Sequence, residues 1–372
     1  MVLTVGFDAT SARQGAGIGR YTRQLLSALA ERDDDIDFRL FSAGGLAFLH
    51  LNGRFRSRPL PISDRVLNLL WHRWRLPLPV QMATGRFDIF HSPDFTLPPV
   101  RGRPSVLTIH DLAFLRRPEC AYPTLRAYLQ TVVPRSVRRA DHLIAVSENT
   151  KRDLIELLDV PDKKITAIPL GVAEPFRLME QYEATPLLKG IGVEEPYILS
   201  VGTIEPRKNY PALLDAFALL RERGLRCPLI IAGRFGWMFE GVRQRLAGLP
   251  EGAVRIVEPD DAALAALYAR SAAFVYPSLY EGFGVPVLEA MACGAPVITS
   301  RTSSLPEVAG DAAIVIDPEN VEDIAAAIDR VLGSADVAER LRKAGPERAM
   351  RFRWERTAAE TVAVYRSLAL HA

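Results

Sequence analysis

The sequence predicts an α/β protein built from two doubly wound domains, each a parallel sheet with helices on both faces. Three observations predict this class. Short apolar stretches alternate with helical stretches through both halves of the chain, as in sheets built from β–α units. Many apolar stretches end at glycine or at a polar residue, and a proline-containing segment separates the two sets. A length of 372 residues is sufficient for about two domains.

The first domain is predicted at 1–172. Its helical periodicity over Gly19–Ala30 and Glu148–Leu158 alternates with short apolar runs. Those runs predict strands at Val2–Phe7, Phe38–Phe41, Ile89–His91, Ser105–Ile109 and His142–Val146.

A linker is predicted at 173–196, because Pro175, Pro186 and Pro196 lie within it. The second domain follows at 197–351. Its predicted strands are Tyr197–Val201, Leu229–Ala232, Ala253–Val257, Phe274–Tyr276, Val297–Thr299 and Ala313–Ile316. Its predicted helices are Tyr210–Arg223, Ala262–Ser271, Val285–Cys293 and Val321–Leu332, and a long helix is predicted at Trp354–Leu370.

Composition excludes several classes of protein. The net charge is +2, divided into +7 over residues 1–172 and −5 over the rest, which is too weak for a dedicated nucleic-acid binder. Three widely spaced cysteines predict a reducing compartment and no disulfide framework. The N-terminus has the pattern of a first strand, and no apolar run approaches the ~18 residues of a membrane span. We therefore expect a cytoplasmic protein.

The most informative stretch is 278–294, which follows a predicted strand. Gly282 and Gly284 permit a tight turn, and Pro286 suits the first turn of a helix. The free N–H groups at such a helix start favour a phosphate. Glu281 and Glu289 would diverge by about 80° on one helix, so they can share a ligand only if the helix begins between them. The alternative is two solvated glutamates.

Cations are predicted at the end of another strand. Val201–Gly202 closes that strand, and Arg207 and Lys208 follow in the loop at the ligand edge of the sheet. An arginine fork and a lysine charge suit a diphosphate. The alternative is an ordinary surface pair. Gly233 and Arg234 follow the Leu229–Ala232 strand, and from this position they could approach a nucleotide.

Glycines at 15, 17 and 19 follow the first strand, but the G-x-G-x-x-G spacing fails because Arg20 and Thr22 stand where glycine is required. A dehydrogenase is therefore disfavoured. His110 and Asp111 end another strand, where the histidine could donate a hydrogen bond and Asp111 could fix its tautomer. The alternative is a locally bonded structural histidine. The 91–94 segment could also line an acceptor site.

Three further features could have purely structural roles. Asp260 could cap the helix that follows it. Asp33–Asp35 lies away from the ligand edge and is interpreted as a solvated loop, so no metal site is expected. Arginines mixed with tryptophans and leucines over 54–75 favour an anionic membrane surface, or form an amphipathic helix packed on the domain.

The stretch Glu281-Gly-Phe-Gly-Val-Pro-Val-Leu-Glu289 resembles the two-glutamate signature of family 4 glycosyltransferases. The resemblance extends through 294–299 and 304–310 and includes Val201–Asn209 and the glycines near residue 17. It implies the GT-B fold, in which two Rossmann-like domains face each other across a cleft. It also implies that the C-terminal helix, about 352–372, completes the first domain.

Residue roles follow from the same resemblance. Glu289 would bind the nucleotide ribose, and Glu281 would lie beside the donor sugar. The loop that contains Asp260 would lie beside the nucleotide base, which is the alternative to a capping role. Gly17 would approach the diphosphate from the first domain, and His110 would lie near O6 of the sugar or the reacting centre. The predicted catalytic residues are Arg207, Lys208, Glu281 and His110. The donor-binding residues are Gly17, Gly202, Arg207, Lys208, Gly233, Glu281, Gly282, Phe283, Gly284, Val285 and Glu289.

The resemblance implies a retaining glycosyltransferase of polysaccharide biosynthesis that needs no metal, since two cations replace its charge. The second half is most similar to bacterial mannosyltransferases, so the expected donor is GDP-mannose and the expected acceptor a glycan or lipid-linked glycan. Contact with the inner face of the membrane is expected, and nucleic acid is not a partner. The alternatives are a UDP-hexose donor, a sugar-nucleotide epimerase of the same fold, or a non-catalytic scaffold.

Overall fold

The structure is a computed structural model that describes residues 2–15, 17–43, 51–60 and 62–370. The chain forms two compact units. The first comprises Met1–Leu115, Pro123–Gly171 and Arg353–Ala372, and the second comprises Arg116–Tyr122 and Val172–Phe352. Each unit is a parallel sheet with helices, so the α/β class predicted from the alternating pattern is confirmed.

The first unit contains, in its described part, a seven-stranded parallel sheet with the order β3-β2-β1-β4-β5-β6-β7. The strand order reverses between β1 and β4, which pair in parallel. The strands are β1 (Leu3–Asp8), β2 (Ile36–Ala43), β3 (Phe55–Leu60), β4 (Ile89–Ser92), β5 (Ser105–Ile109), β6 (His142–Ala145) and β7 (Ile165–Ala167).

The edge strands β3 and β7 were not predicted. Arg56 and Arg58 are exposed on β3, so this strand lacks the apolar run that marks its neighbours. The helices of this unit are α1 (Ile18–Glu31), α2 (Asp64–Asn68), α3 (Gln81–Thr84), α4 (Ala113–Arg116), α5 (Pro123–Arg139) and α6 (Glu148–Leu158). Sequence periodicity missed α5, which contains Pro134 and has a largely exposed first half.

The second unit has, among its described residues, a six-stranded parallel sheet with the order β10-β9-β8-β11-β12-β13. The order reverses between β8 and β11, and open α/β sheets bind ligands outside such a reversal point. The strands are β8 (Ile198–Val201), β9 (Leu229–Ala232), β10 (Val254–Val257), β11 (Ala273–Tyr276), β12 (Val297–Ser300) and β13 (Ala313–Ile316).

Capping side chains fix several helix starts in the second unit. Asp260, Asn320 and Ser334 each accept the backbone N–H of the third residue of the following helix. The helices are α7 (Gln181–Gly190), α8 (Tyr210–Glu222), α9 (Glu240–Ala247), α10 (Asp261–Arg270), α11 (Val285–Ala292), α12 (Leu305–Ala309), α13 (Val321–Gly333) and α14 (Ala335–Ala349). Asp260 therefore has the capping role that the sequence left as one of two options.

The final helix, α15 (Trp354–Leu370), belongs to the first unit. Its Tyr365 hydroxyl lies 2.5 Å from Nδ1 of His91 on β4, and Arg366 pairs with Asp34 at 2.8 Å. Asp34 also pairs with Arg32, so one member of the acidic run expected to be solvated is an ion-pairing residue. Across the described residues, every helix is too short or too polar to cross a bilayer.

Two segments differ from the sequence expectation. The stretch 173–196, predicted as a linker, contains α7, whose first turn is closed by reciprocal bonds between Glu180 and Glu183. The segment Arg116–Tyr122 lies in the second unit, where Arg117 pairs with Glu319 at 2.9 Å. Trp237 Nε1 also donates to the carbonyl of Cys120 at 3.0 Å. Periodicity cannot reveal which core a short polar segment joins.

Candidate active site

Two chain segments meet at the C-terminal edge of the second unit's sheet. The first leaves β8 and forms a short 3-10 turn, Pro206–Lys208, and the second leaves β11 and reaches Glu281. Because β8 and β11 are neighbours at the point where the strand order reverses, both segments emerge side by side. The structure therefore brings together Arg207, Lys208 and Glu281, as the sequence analysis expects.

These three side chains form an ion cluster. Lys208 Nζ lies 2.7 Å from Glu281 Oε1, and Arg207 Nη1 lies 2.6 Å from Glu281 Oε2. Arg207 Nη2 also lies 2.8 Å from Glu205 Oε1. The cluster thus contains two cations and two carboxylates, and the carboxylates hold the cations at the strand edge.

Sequence reasoning missed the polar residues that hold Glu281. Tyr276 donates to Oε1 at 2.9 Å, and Ser278 Oγ donates to the same oxygen at 2.6 Å. Lys208 also donates to the Tyr276 hydroxyl. Both Glu281 oxygens are therefore engaged by protein donors, and the carboxylate acts as the counterion of the two cations. The sequence feature that could have identified Tyr276 as a site residue is its position at the end of β11.

Burial and charge act in opposite directions on this cluster. Burial alone would raise the pKa of Glu281, which is 7% exposed, but Arg207 and Lys208 outweigh it and lower the pKa to about 2. Burial lowers the pKa of Lys208, and Glu281 offsets part of that effect. Glu281 is consequently a carboxylate throughout the physiological range, and a weakly basic one.

The low pKa of Glu281 predicts a pH-dependent stability. Its folded pKa of about 2 lies below the ordinary 4.5, so its contribution is complete above pH 4.5 and is lost as the pH falls towards 2. The shift corresponds to about 3 kcal/mol at neutral pH. Glu281→Gln should therefore lower the free energy of unfolding at pH 7, with less than half of the difference remaining at pH 3.

Denaturant unfolding of both proteins across that pH range measures the difference. A matched control is Glu339→Gln, because Glu339 forms an exposed pair with Lys343 and such pairs contribute about 0–1 kcal/mol. A stability difference for Glu281→Gln that stays constant from pH 7 to pH 3 would contradict the assignment.

Two glycines make room for the cluster. Gly202 has φ +135°, and a Cβ there would lie 3.2 Å from Cε of Lys208. A Cβ on Gly233 would lie 2.0 Å from the carbonyl oxygen of Gly202, which no side chain tolerates. Gly233 is therefore required for the close approach of the β8 and β9 ends, and Gly202 lets the lysine side chain cross the strand end.

The segment 282–285 leads into α11. Gly284 precedes the helix at φ +104°, no side chain caps the helix start, and a Cβ on Gly284 would meet Leu305 at 2.7 Å. The Phe283 ring is buried and packs edge-on against Phe352 with centroids 5.8 Å apart. This geometry gives α11 an N-terminus whose N–H groups are not satisfied by a capping side chain, beside the ion cluster.

Glu289 lies inside α11. The helix begins at Val285, between Glu281 and Glu289, which is the condition for the two glutamates to share a ligand. Its side chain is only 4% exposed, and Tyr268 donates to Oε2 at 3.3 Å. Burial raises the pKa of Tyr268, and the Glu289 charge raises it further. The interpretation of Glu289 as a solvated residue is therefore wrong.

The first unit presents Gly17 and His110 near the C-terminal ends of β1 and β5. Gly17 precedes α1 at φ +56° with nothing within 4 Å of a built Cβ, so it faces open space. His110 Nε2 lies 2.8 Å from the Pro93 carbonyl, which fixes the proton on Nε2. Burial lowers the pKa of His110, although Pro93 and Asp94 partly raise it, so the neutral ring keeps Nδ1 as an acceptor.

Two expectations for neighbouring residues change. Asp111 accepts the backbone N–H of Ala113 at 2.9 Å, so Pro93 rather than Asp111 orients the imidazole. His91 is fully buried between Thr108 and Tyr365, which bond its two ring nitrogens, so it is a core residue and not part of an acceptor surface. Within the described ranges, no group of three histidine, cysteine or acidic residues is arranged to hold a metal.

Comparison with known proteins gives two family matches. The family described as "Glycosyl transferases group 1" matches residues 188–348, and "Glycosyltransferase Family 4" matches residues 15–174. The chain is 34% identical over 370 residues to the O-antigen chain mannosyltransferase B of Escherichia coli, covering 95% of this chain and 96% of that protein.

Solved structures of other proteins share the fold. Sucrose-phosphate synthase from Thermosynechococcus elongatus superposes with a TM-score of 0.77 at 21% identity, covering 100% of both chains. Anabaena HepE in complex with UDP-glucose gives a TM-score of 0.75 at 18% identity, covering 97% of this chain and 100% of that chain. At these identities the likeness concerns the fold alone.

Proposed function

The chain belongs to glycosyltransferase family 4 and is a glycosyltransferase with the GT-B fold, and on this premise we propose that it transfers mannose from GDP-mannose, with retention, to a glycan or lipid-linked glycan hydroxyl. The observation that carries the proposal is the cluster of Arg207 and Lys208 beside the uncapped start of α11. Its relative in Escherichia coli is named a mannosyltransferase, which supports mannose as the sugar.

The ion cluster is suited to a diphosphate leaving group. Lys208 Nζ has three N–H groups, and the described residues supply acceptors for two of them. A diphosphate oxygen would accept the third N–H of Lys208 and lie against the guanidinium group of Arg207. The backbone amides of Gly282–Val285 would donate to the other diphosphate oxygens and to the sugar. Two fixed cations then stabilise the charge that develops as the sugar–phosphate bond breaks, and no metal is required.

Each remaining residue has a proposed part. Glu289 would accept hydrogen bonds from the ribose hydroxyls, and Glu281 would hold the two cations in position. Because both Glu281 oxygens are engaged and its pKa is about 2, it would be a poor nucleophile. His110, with Nδ1 as an acceptor, would orient a sugar hydroxyl.

The reaction proposed is a front-face displacement. The bond between C1 of the sugar and the diphosphate oxygen breaks, and the acceptor oxygen bonds to C1 on the same face. The acceptor proton passes to the departing diphosphate oxygen, so the configuration at C1 is retained without a covalent enzyme intermediate.

Thermal unfolding with GDP, UDP and ADP tests the donor. A nucleotide that binds only the folded protein raises Tm, because binding at 100 times Kd adds about 2.7 kcal/mol of stability. GDP should raise Tm more than UDP or ADP. A larger effect of UDP would favour a UDP-hexose donor, and no effect of any of the three would overturn the proposal.

The epimerase alternative predicts conversion of the donor without an acceptor. NMR of GDP-mannose incubated with the protein alone should show no new sugar-nucleotide isomer. Transfer should appear only when an acceptor glycan is added, with the same anomeric configuration in product and donor. Isomerisation in the absence of acceptor would assign the chain to the epimerase class.

A further inference from the structure

Three consecutive hydroxyl residues after β12 bond to the backbone of the loop that contains Glu281. Because β12 pairs in parallel with β11, the segments that follow the two strands emerge side by side at one edge of the sheet. The segment after β12 contains the three residues, called the hydroxyl triplet below: Thr302, Ser303 and Ser304. The last of them begins the 304–310 stretch, to which the proposed function gives no role.

The first two members of the hydroxyl triplet bond to opposite ends of the 278–284 loop's first half. Thr302 Oγ1 donates to the carbonyl of Ser278 at 3.2 Å. Ser303 Oγ accepts the backbone N–H of Glu281 at 2.8 Å. These contacts join two segments that are more than 20 residues apart in sequence.

The third member, Ser304, bonds to the same loop at two places. Its Oγ lies 2.9 Å from the carbonyl oxygen of Glu281 and 2.8 Å from that of Phe283, so its one proton is shared between them. Ser304 is fully buried and precedes α12, where a serine commonly caps its own helix, yet its side chain forms no capping bond. The hydroxyl therefore bonds to the 278–284 loop and not to the helix that follows it.

Ser303 has a backbone conformation that serine rarely adopts. Its φ is +54°, in the left-handed region. Successive side chains of an extended segment point to opposite faces, whereas those of Ser303 and Ser304 reach one loop. The left-handed turn allows this arrangement, and residues held in such conformations cluster at functional sites.

The bonds from Ser304 set the direction of two amide groups. The peptide bonds of this loop are trans, and in a planar trans unit the C=O and N–H point in opposite directions. Because the carbonyls of Glu281 and Phe283 face Ser304, the N–H groups of Gly282 and Gly284 face away from it. Within the described ranges, the N–H of Gly284 has no acceptor.

The same rule places Arg207 on the other side of the loop. The N–H of Glu281 points to Ser303, so the Tyr280 carbonyl in that peptide unit points the opposite way, where Arg207 Nη1 donates to it at 3.0 Å. The 278–284 loop is therefore held between the hydroxyl triplet and the ion cluster.

We propose that Ser303 and Ser304 are positioning residues of the transfer reaction, which orient the amides of Gly282 and Gly284 towards the diphosphate and sugar of the donor. The inference rests on the proposed function, because that function supplies the acceptors for these amides. Donors that are fixed in advance avoid reorganisation as charge develops on the leaving group. Without the two hydroxyls, a loop with two glycines would be free to rotate its peptide units, since glycine adopts many backbone conformations.

Calorimetry with GDP-mannose and GMP, in the absence of an acceptor, tests this inference in Ser304→Ala. GMP reports binding of the base and ribose, whereas GDP-mannose adds the second phosphate and the sugar. Ser304→Ala should weaken binding of GDP-mannose by about tenfold and leave the affinity for GMP within about threefold of the wild type. In steady-state assays the loss should appear in kcat/KM for the donor, with the acceptor KM unchanged.

Ser303→Gly is a second variant that should fold, because glycine adopts a φ of +54° without strain. It removes only the oxygen that accepts the Glu281 N–H. Its affinity for GDP-mannose should fall by about three- to tenfold, again with little change for GMP.

The matched control is Ser271→Ala. Ser271 is buried in the same unit, and its Oγ donates to the Tyr268 carbonyl at 3.0 Å, outside the 278–284 loop. Ser271→Ala removes the same kind of hydrogen bond as Ser304→Ala, so Tm should fall in both. The ratio of the two affinities should keep its wild-type value only in Ser271→Ala.

Two outcomes would overturn the inference. The first is a wild-type ratio of the two affinities in folded Ser304→Ala and Ser303→Gly. The second is equal weakening of GDP-mannose and GMP, which would assign the serines a general structural role. UDP-glucose and UMP replace this pair if UDP gives the larger Tm shift. A wild-type protein that binds neither sugar nucleotide more tightly than its monophosphate would instead show that the donor proposal itself has failed.

Discussion

Replacing Lys208 with methionine is expected to lower kcat by about 100- to 1,000-fold, the range measured when one donor to a developing negative charge is removed. Lys208→Met keeps the methylenes that pass beside Gly202 and removes only the charged group. Because the charge of the leaving diphosphate grows as the sugar–phosphate bond breaks, the loss should fall mainly on kcat and less on the donor KM.

Steady-state kinetics with GDP-mannose, the proposed donor, measures this effect, with Tm measured in parallel. Lys343→Met is the matched control, because Lys343 forms an exposed pair with Glu339 in the same unit. Its kcat should equal that of the wild type. A folded Lys208→Met protein with unchanged kcat would remove Lys208 from the proposed leaving-group site.

The second large effect concerns Glu289. Glu289→Ala is expected to raise the donor KM by about 10- to 100-fold, because one hydrogen bond to a charged group contributes about 1.5–3 kcal/mol. The ribose is remote from the breaking bond, so these bonds should be equally strong in the ground and transition states, and kcat should change little.

Tyr268→Phe separates ligand binding from structural support. It removes the 3.3 Å hydrogen bond to Glu289 Oε2 but keeps the carboxylate. We expect its donor KM to remain within about threefold of the wild type. If Tyr268→Phe and Glu289→Ala raised KM alike, Glu289 would act through local structure and not through the ribose.

The ion cluster explains how the cations are held in place without a ligand. Glu205 and Glu281 balance the charges of Arg207 and Lys208, so the cluster carries no net charge. Under the proposed function, a diphosphate would meet donors that are already oriented, which would avoid reorganisation during the reaction. We propose that Glu205 and Glu281 act as positioning residues, so Glu281→Gln should disturb both stability and catalysis.

The central strands of both sheets were predictable from sequence because each is a short apolar run buried on both faces. The edge strands β3 and β7 were not, because one exposed face admits arginines and threonine. Helix α7 was hidden by the prolines that led to a linker prediction. Segment 116–122 joins the second unit through Arg117 and Trp237, contacts that no local pattern encodes.

The candidate site was predictable only in part. Gly202, Arg207 and Lys208 follow β8, Gly233 follows β9, and Glu281 and Glu289 lie in the segment after β11. The strand order of the second sheet therefore places these residues at one edge. Tyr276, Ser278 and Glu205 support them through contacts between separate loops. His91 shares the strand-end signal of His110 but lies in the core, since Tyr365 arrives from a helix distant in sequence.

Calorimetric titration of GDP and GMP into the wild-type protein and Lys208→Met tests whether Lys208 holds the second phosphate, because the two nucleotides differ only in that phosphate. We expect the wild type to bind GDP at least about tenfold more tightly than GMP, and Lys208→Met to lose most of this preference. Equal affinity for GDP and GMP in the wild type, or a preference that survives in Lys208→Met, would show that Lys208 is not at a diphosphate site.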